Sequence, residues 1–329
     1  MSTALKLVHG AAGNGKKDYI NRMAQHEPKT GGLFKDFIQD TVAKKARRMG
    51  ESYTNNYHSL LCHLDQFSQM HDADIFTNSV NEDFMDDFVL YLQDKDYKHS
   101  YIVSLVSLIK AMATKAANYG YAIDPSYNDV YVDDADFFSV FLSMNEITRI
   151  YYFRGLTPKQ EQIRDLFVLG CLTALRYSDY SALTRDNFQG DYIVKVTKKT
   201  GKKVIIPIHD YIREMFARYN GEVSKGLSIQ YFNRAVKDIC RQVGLTDTIS
   251  FSYTKGGRLI QESKQKWELI SSHTARRSAA TNMYLTGRMK TYEIMAITGH
   301  TTEKSFFRYI KVTGEDTAKQ IMADTFFRK

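Results

Sequence analysis

The chain has 329 residues, 43% hydrophobic and 25% charged, with a net charge of +8. That balance excludes a disordered or fibrous chain, and the length suggests two domains. The basic excess suits a polyanionic partner, nucleic acid foremost, while Cys62, Cys171 and Cys240 are too few and too scattered for a disulfide framework or a metal pair.

Residues 1–30 are rich in Gly, Ala, Lys and Asn and read as a flexible basic tail. Gly10, Gly15 and Lys16 fit the spacing of a phosphate-binding loop. Lys17 stands where that loop needs a hydroxyl for Mg²⁺, so a nucleotide site is not expected. The start lacks the basic-then-apolar pattern of a signal peptide, and no run of about 18 apolar residues offers a membrane span. The expected location is the cytoplasm, a reducing compartment.

Residues 31–124 read as four helices. Phe34, Phe37, Ile38 and Val42 have helical spacing, and the basic run Lys44, Lys45, Arg47 and Arg48 follows them. After Gly50 a second helix carries Tyr57, Leu60, Leu61, Leu64 and Phe67 on one side. His58 and Cys62 share a face there but lack the further ligands a zinc site requires. A third helix, 81–92, starts with acids, as its dipole favours. A fourth, 101–119, repeats Ile102, Leu105, Val106, Ile109 and Met112, with Lys110 and Lys115 among them, and stops at Gly120. The Asp- and Tyr-rich stretch 125–136, opened by Pro125, reads as the interdomain linker.

A second domain, 137–329, follows. Ser143 and Glu146 have capping-box spacing. The apolar stretch within 160–183 forms a helical face of Leu166, Leu169, Gly170, Leu172 and Thr173, and Arg176 and Asp179 come at its end. Residues 190–207 alternate Val and Ile with polar residues around a turn that holds Lys198, Lys199, Lys202 and Lys203, a hairpin pattern. Two helices are expected at 211–216 and 228–243, then a second hairpin at 249–260. The single tryptophan, Trp267, reads as packing.

The last part holds the most chemistry. Ser272 is a plausible N-cap for a helix that places His273 and Arg276 one turn apart on one face. Gly299 and His300 come next, Gly299 as a helix stop, and Tyr309 lies nine positions after His300. An arginine, two histidines and a tyrosine without a carboxylate cluster suit phosphodiester chemistry done without a metal. Tail residues 314–329 carry Ile321, Met322 and Phe326 at helical spacing.

His273-x-x-Arg276, Gly299-His300 and the Tyr309 spacing resemble the C-terminal motif of the tyrosine recombinase (phage integrase) family. Ala174-Leu-Arg176-Tyr-Ser-Asp179 resembles that family's first arginine box, with Ala174 for Gly and Asp179 for Glu. Ala279 departs from the family's usual Phe, leaving less packing behind the site. The resemblance covers residues 31–329 and favours integrases of mobile elements.

It implies a mainly α fold with small β-hairpins, in which a helical core-binding domain precedes a mixed α/β catalytic domain. Arg176 and Arg276 would clamp the phosphate, His300 would donate to it, and Tyr309 would attack it with His273 as base. Lys199 is the favoured acid for the leaving oxygen, with Lys198, Lys202 and Lys203 as alternatives. Asp179 would steer the arginine or a neighbouring histidine. Arg277 is a decoy by spacing. Lys44, Lys45, Arg47, Arg48, Lys110 and Lys202 are expected DNA contacts. The implied partners are double-stranded DNA, further copies of the chain as a tetramer, and an accessory DNA-bending protein, with no cofactor. A type IB topoisomerase and a non-catalytic DNA-bending regulator are the alternative readings of the same residues.

Overall fold

The computed structural model describes residues 31–132, 138–221, 227–312 and Met322. The Gly10–Lys17 pattern and the tail residues Ile321 and Phe326 lie outside the described residues. The chain divides into two compact units.

The first unit holds four helices, α1 Phe34–Met49, α2 Glu51–His71, α3 Glu82–Asp94 and α4 His99–Asn118. Gly50 separates the first two at φ +72°, a left-handed conformation that glycine adopts without a Cβ penalty. The Asn81 side chain caps α3 by accepting from the Phe84 N–H at 2.9 Å, and Glu82 and Asp83 complement the dipole of its first turn. Phe34, Ile38, Leu60, Leu64, Phe88, Leu92 and Ile109 form the centre of the core. Helix α4 is apolar enough by composition to cross a membrane. Its apolar residues Ile102, Leu105, Ile109 and Met112 are buried in this core, where they explain that composition.

The stretch expected to be a linker begins inside this unit. Pro125–Asn128 is a 3-10 turn whose Tyr127, like Val130 just after it, is buried among the helices. Two apolar side chains outweigh the acidic, irregular surroundings. Lys110, expected to face DNA, instead donates to the carbonyls of Asn128 at 2.9 Å and Val130 at 2.6 Å. It pins that stretch. Lys44, Lys45, Arg47 and Arg48 are exposed on the last turns of α1. Lys115 joins them: its pKa is lowered by desolvation and by the charges of Lys45 and Lys44. Cys62 Sγ and His58 Nε2 lie 3.8 Å apart, but no metal-holding group of three His, Cys, Asp or Glu occurs among the described residues.

The second unit begins at Phe138. Its helices are α5 Met144–Tyr152, α6 Pro158–Thr173, α7 Tyr177–Tyr180, α8 Asp210–Arg218, α9 Ile229–Gln242, α10 Ser272–Leu285, α11 Thr291–Thr298 and α12 Glu303–Phe307. Capping boxes open α5, through Ser143 and Glu146, and α6, through Thr157 and Gln160. Strands β1 Phe188–Gln189, β2 Tyr192–Val196 and β3 Lys203–Pro207 form an antiparallel sheet in that order. Ile193 pairs with Ile206 and Lys195 with Val204, which turns Ile193, Val204 and Ile206 into the core. Strands β4 Thr248–Lys255 and β5 Arg258–Gln265 pair as a second hairpin. The residues around its turn, Ser252–Ile260, group with the first unit, where the Gly256 N–H donates to the Tyr97 carbonyl at 3.0 Å.

Helix α10 packs against α6 at the centre of the unit. Gly170 permits this approach, because a Cβ there would stand 2.7 Å from the Tyr180 ring and 3.1 Å from the Ala275 Cβ. Ser278 and Asn282 on α10 hold both ends of the Leu142 residue. The Leu142 N–H donates to Ser278 Oγ and Asn282 Nδ2 donates to the Leu142 carbonyl, each at 2.8 Å. These polar residues recur at helical spacing because each has a main-chain partner to satisfy it.

Candidate active site

Three helix ends and one turn place the functional side chains. Helix α6 ends at Ala174, which closes it in the left-handed region at φ +56°. Arg176 follows as the N-cap of α7. The N-cap of α10 is Ser271, not Ser272, which lies one residue inside the helix. Thr274 explains the difference: its hydroxyl accepts from the Ser271 N–H at 3.0 Å. His273 and Arg276 then share one face, as their spacing predicts. Helix α11 ends at Gly299, φ +70°, and His300 is the next residue.

Arg276 is fully buried. Its Nη1 donates to the Ala174 carbonyl at 2.7 Å and its Nη2 to the Thr298 carbonyl at 2.6 Å. Nη2 also lies 3.3 Å from His300 Nε2. The guanidinium carbon sits 5.4 Å from the centre of the Tyr309 ring. Desolvation, then the charge of Arg176, brings its pKa down to about 10, still well above neutrality. Arg176 contributes a buried Nη1 with no hydrogen-bond partner, and Arg276 a buried Nε in the same condition. Buried donors left unpaired are costly, so both arginines keep capacity for an acceptor.

Tyr309 comes from the same chain, just past α12. Its ring centre is 4.8 Å from that of His300 and 6.2 Å from that of His273. Thr281, fully buried on α10, donates to the Tyr309 carbonyl and accepts from the Lys311 N–H, both at 3.3 Å. The tyrosine is thus clipped to the helix that carries His273 and Arg276. Burial and neighbouring cations lower the pKa of both imidazoles. His300 is pushed down to about 4 by burial and by Arg276, Arg176 and Lys202. His273 is lowered by desolvation and by Arg277, Arg276, Arg176 and Lys199.

Lys199 and Lys202 are exposed in the β2–β3 turn. Lys199 contributes to the lowered pKa of His273 and Lys202 to that of His300, so the turn lies near both imidazoles. The turn is braced by the Thr197 N–H, which donates to the Lys202 carbonyl at 2.8 Å, and by a 2.8 Å contact between the Thr197 and Thr200 hydroxyls. Asp179 braces it further. This fully buried carboxylate accepts from the Lys198 N–H at 2.8 Å, so its hydrogen bond goes to the lysine turn and not to an arginine or histidine. Arg277 points elsewhere, with Nη1 donating to the Val140 carbonyl at 3.2 Å. Thr281 and Thr298 escape sequence reasoning, because a buried threonine leaves no periodic signal of its own.

A phenol beside a buried guanidinium and two imidazoles, with a second arginine whose Nη1 has no partner, is an arrangement suited to a phosphodiester. That chemistry and this two-unit fold define the tyrosine recombinases. The chain belongs to the phage integrase family: the pattern described as "Phage integrase family" matches residues 140–315, and that of the "Phage integrase SAM-like domain" matches residues 33–132. Among solved structures, the chain is similar to the Tn1549 transposon integrase in complex with circular intermediate DNA, at 15% identity and a TM-score of 0.64, over 89% of this chain and 99% of that one. It is also similar to a lambda integrase tetramer bound to a Holliday junction, at 16% identity and a TM-score of 0.60, over 84% of this chain and 76% of that one. No curated protein sequence matches the chain.

Proposed function

We propose that this site-specific recombinase cuts and rejoins DNA through a 3′-phosphotyrosyl bond on Tyr309. The observation that carries this reading is the position of the Tyr309 ring against the buried Arg276, with the unpaired Nη1 of Arg176 in the same centre. Arg176 and Arg276 clamp the non-bridging oxygens and stabilise the charge of the five-coordinate transition state. His273 takes the phenol proton as Tyr309 attacks phosphorus. The bond to the 5′ oxygen breaks, and Lys199 protonates that oxygen. The phosphotyrosyl bond conserves the phosphodiester energy, so a second 5′ hydroxyl reverses the step on another strand without ATP.

Lys44, Lys45, Arg47, Arg48 and Lys202 contact the duplex backbone in this reading, and Lys115 joins them in place of Lys110. Assembly as a tetramer is supported by the lambda integrase tetramer on a Holliday junction. The natural setting is the bacterial cytoplasm, where the DNA lies, with an accessory bending protein as a further partner.

The test uses a nicked half-site that traps the covalent product. The parent protein forms a protein–DNA species that survives boiling in detergent, with no added metal or ATP, and Tyr309→Phe forms none while still binding DNA. With two intact sites the parent yields exchanged strands, whereas a topoisomerase would only relax supercoils. A covalent species in Tyr309→Phe would refute the nucleophile.

A further inference from the structure

Tyr309 stands just past α12, a helix of five residues, Glu303–Phe307. So short a helix keeps its shape only through contacts with the rest of the fold. The turn itself supplies two hydrogen bonds. The Tyr309 N–H donates to the Phe306 carbonyl at 2.8 Å, and the Ile310 N–H to the Phe307 carbonyl at 3.2 Å. The Tyr309 carbonyl and the Lys311 N–H are both met by the Thr281 hydroxyl, each at 3.3 Å. Ile310, between them, packs against the small core of Ala280, Ile294 and Phe306.

Thr281 is fully buried on α10. A hydroxyl has one hydrogen to give and lone pairs to receive. Here the hydrogen goes to the carbonyl on one side of Ile310, and a lone pair receives the N–H on the other. A valine has nearly the same shape, so packing alone does not call for an oxygen at this position. Ser278, one turn earlier, turns its hydroxyl back to the Thr274 carbonyl of its own helix at 2.7 Å. Thr281 instead sends its hydrogen outward, to the segment that carries the phenol. His273 and Arg276 lie on this helix too. One rigid element therefore holds both of them and the main chain of the tyrosine.

We infer that Thr281 is a positioning residue: its hydroxyl fixes the main chain of residues 309–311 on α10 and so sets the reach of the Tyr309 phenol toward a phosphate held by Arg276. This rests on the recombinase reading for the role of the phenol, but the hydrogen bonds stand without it. The hydroxyl acts only through the backbone. Attack on phosphorus needs the reacting atoms close and aligned, so a small displacement slows it while leaving DNA binding intact.

The experiment has one arm without DNA and one with it. In protein labelled with ¹⁵N-lysine, the Lys311 amide is identified by its loss in Lys311→Arg, and its hydrogen exchange is followed beside that of Lys237 within α9. In Thr281→Val the Lys311 amide exchanges about fivefold faster while Lys237 is unchanged, and in Thr281→Ser both exchange as in the parent. On the nicked half-site, Thr281→Val forms the covalent species about tenfold more slowly at saturating protein, with the same half-saturating concentration. Thr281→Ser stays within about twofold of the parent. Equal acceleration at Lys311 and Lys237 overturns the inference, since it marks a general loss of stability. So does a Thr281→Val protein that forms the covalent species as fast as the parent, or one that loses DNA affinity in step with its rate. If the exchange pattern appears but the parent forms no covalent species, the recombinase reading fails and the Thr281 clip stands without that purpose.

Discussion

Acidification should weaken the second unit through His300, and the size of the effect follows from its surroundings. The imidazole moves from an ordinary 6.5 in the unfolded chain to about 4 in the folded one, because burial and the cations Arg276, Arg176 and Lys202 disfavour its charge. A lowered folded pKa means that the unfolded state binds the proton more readily. Stability is therefore complete above the unfolded pKa, near ~6.5, and is lost progressively as pH falls toward the folded value. Between pH ~7.5 and ~5 the unfolded ring takes up most of a proton and the folded ring very little, a difference of ~2 kcal/mol. The ring is only partly buried, so solvent screening brings this to roughly 1 kcal/mol. The assay is denaturant unfolding followed by the fluorescence of Trp267, the single tryptophan, which packs against the core of this unit. His273 titrates in the same direction, so the comparison is between the parent and His300→Gln. The parent should lose ~1 kcal/mol more than the variant over this range. Equal losses in the two proteins would refute the reasoning.

Further expectations concern separate parts of the molecule. Lys199→Ala should slow cleavage of ordinary DNA but cut a substrate with sulfur at the 5′ leaving position nearly as well as the parent does, because a thiolate leaves without a proton; rescue by a change at Lys198, Lys202 or Lys203 instead would reassign the acid. Replacing Lys44, Lys45, Arg47 and Arg48 with Ala should flatten the dependence of log affinity on log salt by up to ~3.6, about 0.9 for each phosphate that is no longer neutralised. An unchanged slope would return the run to a merely solvated helix face. Gly170→Ala should cost ~2 kcal/mol, since the new Cβ meets the Tyr180 ring at 2.7 Å. A calorimetric scan should show the melting point lower by roughly 4–8 °C.

Much of this can be read from the chain alone where a residue type has a single physical use. Ser143 and Glu146 announce a helix start, Gly299 a helix stop, and the alternation in 190–207 a hairpin, and each is there. Spacing singles out His273, Arg276, His300 and Tyr309, and the fold brings them together. What escapes are partners chosen in three dimensions. Lys110 resembles any surface lysine until two carbonyls from a later turn meet it. Sequence proximity sets Asp179 beside an arginine, yet its bond goes to a backbone N–H 19 residues away. Ala174 gives no hint in the sequence that it adopts a left-handed conformation, and its carbonyl is turned toward Arg276 there.

The two carbonyls that receive Arg276 sit at the C-terminal ends of α6 and α11. Each is the negative pole of a helix, so the guanidinium lies where two macrodipoles converge. Such poles steady a cation without neutralising it, as a carboxylate would, and the full positive charge remains available to an incoming anion. Its water was also removed when the protein folded. In the proposed reaction a DNA phosphate would meet a guanidinium that is already dry and aimed, its solvent reorganisation completed when the protein folded.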